Sequence, residues 1–133
     1  PLMLGWRLFK TNINFIPMQY RWLRWPFLAL LLFQLPTLAF VEEAIFRDGW
    51  FRYPTTNWFD GFWRSLGFGL AHVLSGSPLR VCLALVVGGL WFTHVYFAGG
   101  LAMATAAHTT YNMFAFAYTL GRWWWTGKDP FRE

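Results

Sequence analysis

The sequence predicts an all-α, polytopic membrane helix bundle with about four transmembrane helices. Three observations predict it. Only 13% of the 133 residues are charged, against 56% apolar and 23% aromatic, whereas a soluble domain carries about 25% charged residues. The few charges divide the chain into long charge-free blocks. Those blocks lack the polar/apolar alternation of a barrel strand, so helices are the form that satisfies the backbone in lipid. A small soluble protein buries only ~60–70% of its unfolded surface, too little to hide 10 Trp and 15 Phe. An ordinary soluble enzyme and a disordered tail are thereby excluded, and a disulfide scaffold is excluded by the single cysteine, Cys82. The net charge of +5 is spread thinly over chain ends and loops. Without a basic stripe, no nucleic-acid partner is expected.

Residues 1–24 mix aromatics with Arg and Lys and read as an amphipathic segment on the membrane surface. They lack the basic region and clean apolar run of a signal peptide. The membrane core is expected over residues 25–122. Span A, about 26–50, rests on the stretch from Arg24 to Glu42, which contains no formal charge. Pro36 removes one of its hydrogen bonds and is expected to bend it before Glu42, as a packing kink or as an opening for a site. Span B, about 58–75, includes the charge-free block between Arg64 and Arg80. Spans C, about 79–98, and D, about 100–121, share the 41 uncharged residues between Arg80 and Arg122. At about 20 residues per span that is enough for two helices, and Ala98-Gly99-Gly100 suits the turn between them. Residues 123–133 read as an interfacial, polar tail. Trp22, Trp25, Trp50, Trp58 and Trp123–Trp125 fall near span ends, where indole rings anchor at the headgroups. Four spans put both termini on one face, with eight Lys and Arg against Arg47, Arg52 and Arg64 on the other. The excess of positive charge predicts cytoplasmic termini.

The informative residues are the ionisable ones within these spans. A carboxylate at membrane depth costs at least ~2.5–3.5 kcal/mol and usually faces a cavity or a partner. Glu42 and Glu43 end the apolar run of span A, and Arg47 follows. Glu43 and Arg47, four apart, share a helix face and can form an ion pair. Glu42 is rotated by ~100° and can point elsewhere. Taken alone, the three also suit a polar helix end at the headgroups. Phe68 and His72 in span B are four apart, as are His108 and Asn112 in span D. Either histidine alone could simply tie helices together by a hydrogen bond. His94 in span C has no matching companion and reads as packing.

Depth gives the set more meaning. Measured from span edges near Trp50, Asp60 and Gly100, Glu43, His72 and His108 lie about 10, 18 and 12 Å from one membrane face. Two carboxylates, an arginine, two histidines and an amide therefore share one layer. Gly67, Gly69 and Ala71 on B, and Ala102, Ala104, Ala106 and Ala107 on D, let helices approach closely around it.

Glu42-Glu43-Ala-Ile-Phe-Arg47, Phe68-Gly-Leu-Ala-His72 and His108-Thr-Thr-Tyr-Asn112, in that order on successive membrane helices, resemble the CPBP family. That family comprises the type II CAAX prenyl endopeptidases and bacteriocin-processing or self-immunity proteins. The resemblance covers about residues 28–120 and includes the run GLWFTHVYFAGGLAMATAAHTTYN. It implies an intramembrane protease acting on a membrane-associated peptide, prenylated peptides included. Glu42 would be the general base on a water that His72 holds or shares; an apolar pocket makes a carboxylate a better proton acceptor near neutral pH. His108 and Asn112 would donate to the oxyanion. Glu43 and Arg47 would orient the base and balance charge. Glu42, His72 and His108 could instead bind Zn²⁺, but no H-E-x-x-H helix occurs, and direct activation of water without a cofactor is favoured.

Family members commonly have six to eight membrane helices, against about four expected here. Missing flanking helices and a heavy aromatic surface also suit a non-proteolytic CPBP-like subunit or scaffold, its partners other membrane subunits. A third reading takes the histidines as axial ligands to haem or a chlorophyll-type pigment, with Ala104 one turn before His108. It leaves the two glutamates, Arg47 and Asn112 without a role.

Overall fold

A computed structural model describes residues 22–50, 52–74 and 77–127. Nearly all of the expected surface segment at 1–24, and residues 128–133 of the expected tail, lie outside the described residues. Within them the chain is helical, with no strand. Helix α1 spans Arg24–Phe46, α2 Trp58–Ala71 and α3 Leu79–Thr126.

Each boundary has a local cause. Helix α1 runs on through Pro36 and stops because the backbone folds back on its last turn. The N–H groups of Arg47 and Asp48 both reach the Glu43 carbonyl, at 2.8 and 3.1 Å. Gly49 then takes φ +70, and a Cβ there would collide with the Tyr53 carbonyl, so glycine is required. Asn57 caps α2 by accepting the Asp60 N–H at 2.9 Å, and Asp60 itself complements the helix dipole in the first turn. Helix α3 starts after Pro78, which has no N–H to donate, and no helical acceptor stands before a helix start. It ends at Gly127 with φ +63, whose N–H bonds the Trp123 carbonyl at 2.9 Å, a left-handed cap.

The expected break at 98–100 is present. Gly99 and Gly100 are the non-helical residues inside α3, and Gly100 takes φ 69 and ψ −164, a conformation essentially limited to glycine. The chain reverses there. Phe92 stacks on His108, with ring centroids 4.4 Å apart; along a straight helix their sixteen-residue separation would be about 24 Å. The two arms of α3, 79–98 and 101–126, therefore form a hairpin.

Helix α2 packs most extensively on α3, α1 next, and α1 and α2 touch little. Contacts give the directions. Trp25 stacks on Trp123 at 5.6 Å, Leu28 and Leu35 cluster with Phe116, and Glu43 meets His108, so α1 runs antiparallel to the second arm. Trp58 meets Phe97 and Ser65 meets Thr93, so α2 runs antiparallel to the first arm. Gly69 makes that packing close: a Cβ there would stand 2.5 Å from the Cys82 carbonyl oxygen and 2.8 Å from the Val86 nitrogen. Small residues at helix contacts serve this purpose in membranes.

Among the described residues two helices, α1 with 23 residues and α3 with 48, are long and apolar enough to cross a membrane. Large apolar side chains such as Phe33, Leu74, Val87 and Trp124 face outward. The expected count of about four spans is not confirmed. Helix α2 has 14 residues and is about 21 Å long, shorter than a hydrocarbon core of about 30 Å. Three expected boundaries also move. Span A ends at Phe46 rather than near 50 because of the Gly49 turn, and span B ends at Ala71 rather than near 75. The expected tail from 123 begins inside α3, which continues to Thr126.

Candidate active site

The layer where α1, α2 and both arms of α3 meet holds the buried Glu43 and Arg47. Glu43 sits in the last turn of α1 and Arg47 caps it; both are fully buried. That excludes, for these two, the alternative of a solvated helix end. The ion pair allowed by their spacing is formed, with Arg47 Nε 3.4 Å from Glu43 Oε2 and Nη1 3.4 Å from Oε1. Arg47 Nη2 donates to the Gly89 carbonyl at 2.8 Å. Its guanidinium lies 4.7 Å from the centre of the Phe68 ring and 5.9 Å from that of Phe92, so aromatic faces supply part of its solvation.

His108, on the second arm of α3, is also buried. Its Nδ1 is 2.7 Å from Glu43 Oε1. A carboxylate paired with arginine only accepts, so the ring donates from Nδ1. Phe92 stacks on one face of the imidazole with an interplanar angle of 14°, and Phe68 meets it edge-on at 5.8 Å. The ring is thus fixed in plane and in rotation, with Nε2 facing Glu42 Oε2 at 3.5 Å. The Glu42 side chain is 36% exposed. Adjacent glutamates therefore end in unlike settings, as their ~100° rotation predicts.

Not every expected residue joins this contact set. His72 caps α2, and its Nδ1 is 2.8 Å from the Phe68 carbonyl of its own helix. Phe68 lies edge-on to it at 5.1 Å, so this ring touches both histidines. Asn112 is half-buried, one turn beyond His108 on the same helix. His94, expected to have no site role, is exposed and stacks on Trp58 at 6.2 Å.

Among the described residues, no three His, Cys, Asp or Glu side chains come together to hold a metal ion. His72 and His108 have their Nδ1 atoms on the Phe68 carbonyl and on Glu43, which leaves Nε2 of each ring as the atom a metal would meet. The His108 Nε2 faces the Glu42 carboxylate, and Phe92 covers one face of the ring.

Four residues of this layer had no assigned role in the sequence reading: Ser65, Gly89, Phe92 and Thr93. Ser and Thr in membrane helices commonly bond their own backbone, so the sequence carried no signal for the two hydroxyls. The signal for Phe92 was its position seven residues before the glycine pair, mirroring His108 eight residues after it.

No curated protein and no solved structure matches the chain. A family model does: type II CAAX prenyl endopeptidase Rce1-like, over residues 24–114. That region runs from the start of α1 past the site to Phe114 in the second arm of α3, about two-thirds of the chain. The chain therefore belongs to the Rce1-like family of type II CAAX prenyl endopeptidases.

Proposed function

We propose that the protein is an intramembrane endopeptidase that hydrolyses a peptide bond of a membrane-associated substrate without a metal ion. One observation carries the reading. A half-exposed carboxylate, Glu42, faces a histidine that is locked from behind by a buried Glu43–Arg47 pair, at the meeting point of separate helices. Glu42 takes a proton from water as the water oxygen bonds to the scissile carbonyl carbon, and His72 shares that water. The carbonyl electron pair moves onto oxygen, where His108 Nε2 and the Asn112 amide donate hydrogen bonds. In that role His108 carries a proton on both nitrogens, its charge set against the oxyanion while Glu42 holds the proton taken from water. Glu42 then returns its proton to the departing amine as the C–N bond breaks. Glu43 and Arg47 hold the histidine and do not touch substrate.

The four helical segments alternate in direction, which supports a multi-pass protein; the excess of positive charge at the terminal face supports cytoplasmic termini. The test is cleavage of a lipid-anchored fluorogenic peptide in phosphatidylcholine vesicles. Glu42→Ala is expected to abolish cleavage while EDTA leaves the wild type active. Unchanged cleavage by Glu42→Ala sinks the reading. The short α2 favours a second reading, a subunit that completes its bilayer crossing against neighbouring helices. Stoichiometric membrane partners that survive Glu42→Ala and His108→Ala, with no cleavage by the wild type, would establish it instead.

A further inference from the structure

A line of buried polar groups extends from the Glu43–Arg47 pair to Ser65 on α2. Ser65 on α2 and Thr93 on the first arm of α3 are fully buried, and their hydroxyl oxygens lie 3.2 Å apart. Thr93 Oγ1 donates to the Gly89 carbonyl at 2.9 Å. A hydroxyl has one proton, so with Thr93's committed there, Ser65 must be the donor between the two. The Gly89 carbonyl also accepts Arg47 Nη2 at 2.8 Å. The donors therefore run in a fixed order: Ser65 to Thr93, Thr93 and Arg47 to one carbonyl, then Arg47 and His108 to Glu43.

Gly89 has no room for a side chain. A Cβ would lie 2.9 Å from Arg47 Nη2, 3.0 Å from Ser65 Cβ and 3.2 Å from Phe68 Cδ1. Two of these contacts are with tightly packed side chains and the third is with the guanidinium itself. The space beside this carbonyl is thus filled by Arg47.

We propose that Thr93, supported by Ser65 and by the bare backbone of Gly89, is a positioning residue that sets the Arg47 guanidinium and, through Glu43, the orientation of His108. Without the Thr93 hydroxyl the carbonyl loses one of its two side-chain donors, and Arg47 is free to swing toward it and away from Glu43. The Glu43–Arg47 contacts, at 3.4 Å, are long for charge-assisted bonds, so the guanidinium is poised between two acceptors. The role in turnover rests on the protease reading above; the effect on His108 does not.

The test compares Thr93→Val, close in shape but without the hydroxyl, with Thr93→Ser, which retains it. In the vesicle-bound peptide assay, Thr93→Val is expected to lower kcat about five- to tenfold with KM within about twofold, and Thr93→Ser to restore it. Gly89→Ala is expected to lower kcat further, and by less in an Arg47→Lys background, where the shorter cation relieves the contact. The second readout is the His108 Nδ1 signal in ¹⁵N-histidine-labelled protein, one of three histidines to resolve. It is expected to move in Thr93→Val and return in Thr93→Ser. Should Thr93→Val not fold, Ser65→Ala, which removes only the outer donor, is expected to shift kcat and the signal in the same direction by less. A wild type that cleaves nothing refutes the protease reading alone. An unmoved His108 signal with unchanged kcat, or a Ser variant as impaired as the Val variant, overturns the positioning role.

Discussion

Replacing Arg47 by Met tests the buried charge cluster directly. Arg47 and Glu43 have no exposed surface, and the arginine makes three polar contacts: two to the carboxylate and one to the Gly89 carbonyl. Methionine fills much of the same volume and retains contact with Phe68 and Phe92, so packing loss is small. What remains is a buried carboxylate with His108 as its one partner among the contacts described above. Breaking a buried ion pair from one side costs about 3–5 kcal/mol, a large part of a typical net stability of 5–15 kcal/mol. Glu43→Gln, which still accepts from His108 but strands the guanidinium, should cost a similar amount. The Arg47→Met/Glu43→Gln double variant has no stranded charge and should be more stable than either single variant. Reversible unfolding in mixed micelles, followed by circular dichroism, measures all three. Single costs below ~1 kcal/mol, or a double variant whose loss equals the sum of the singles, would refute the claim that these charges sustain each other.

Three further outcomes are expected. Gly100→Ala must place a side chain at φ 69, ψ −164, and should cost about 1–3 kcal/mol in the same unfolding assay; a neutral result would mean the break is not needed at that residue. Gly69→Ala should push α2 off the Cys82 carbonyl, costing about 1–3 kcal/mol, and a cysteine cross-link between the outward faces of α2 and the first arm should slow. Phe92→Leu removes the ring stacked at 4.4 Å on His108; the histidine ring protons should lose their ring-current shift, and stability should fall by about 0.5–1.5 kcal/mol.

Much of the fold was legible because charges are scarce. The limits of the helices follow Arg24, Glu42–Arg47 and Arg80, and the hairpin follows the one adjacent glycine pair that falls midway through an uncharged block. The i,i+4 spacing of Glu43 and Arg47 permitted the ion pair that they form. The length of α2 was not legible: the apolar run continues past Ala71 into His72, Val73 and Leu74, yet the helix stops there. Hydropathy reports what lipid tolerates, and the local hydrogen bonds of the His72 cap decide where the helix ends. Site geometry was readable only to the level of a shared layer. Spacing along a helix gives a face, but the direct Glu43–His108 bond joins residues 65 apart and depends on the turn at Gly99–Gly100. For the same reason the line from Ser65 to Gly89 left no trace in the sequence.

The two adjacent glutamates now have separable chemistry. Sequence alone made both exceptional, as neighbouring acids at the end of an apolar run. Burial separates them. Glu43 has its Oε1 bonded to His108 and its charge matched by Arg47, with no surface left for a water or a substrate. A group so enclosed can orient a neighbour but cannot collect a proton from solvent-delivered water. Glu42, rotated by ~100° on the same turn, retains 36% of its side-chain surface and faces the free edge of the ring that Glu43 holds. Only this carboxylate can both reach water and stand beside His108. The difference predicts unlike responses to one substitution: Glu42→Gln should abolish turnover and spare stability, whereas Glu43→Gln should lower stability and leave residual turnover. Equal effects of the two on cleavage, at matched folded fraction, would contradict this division.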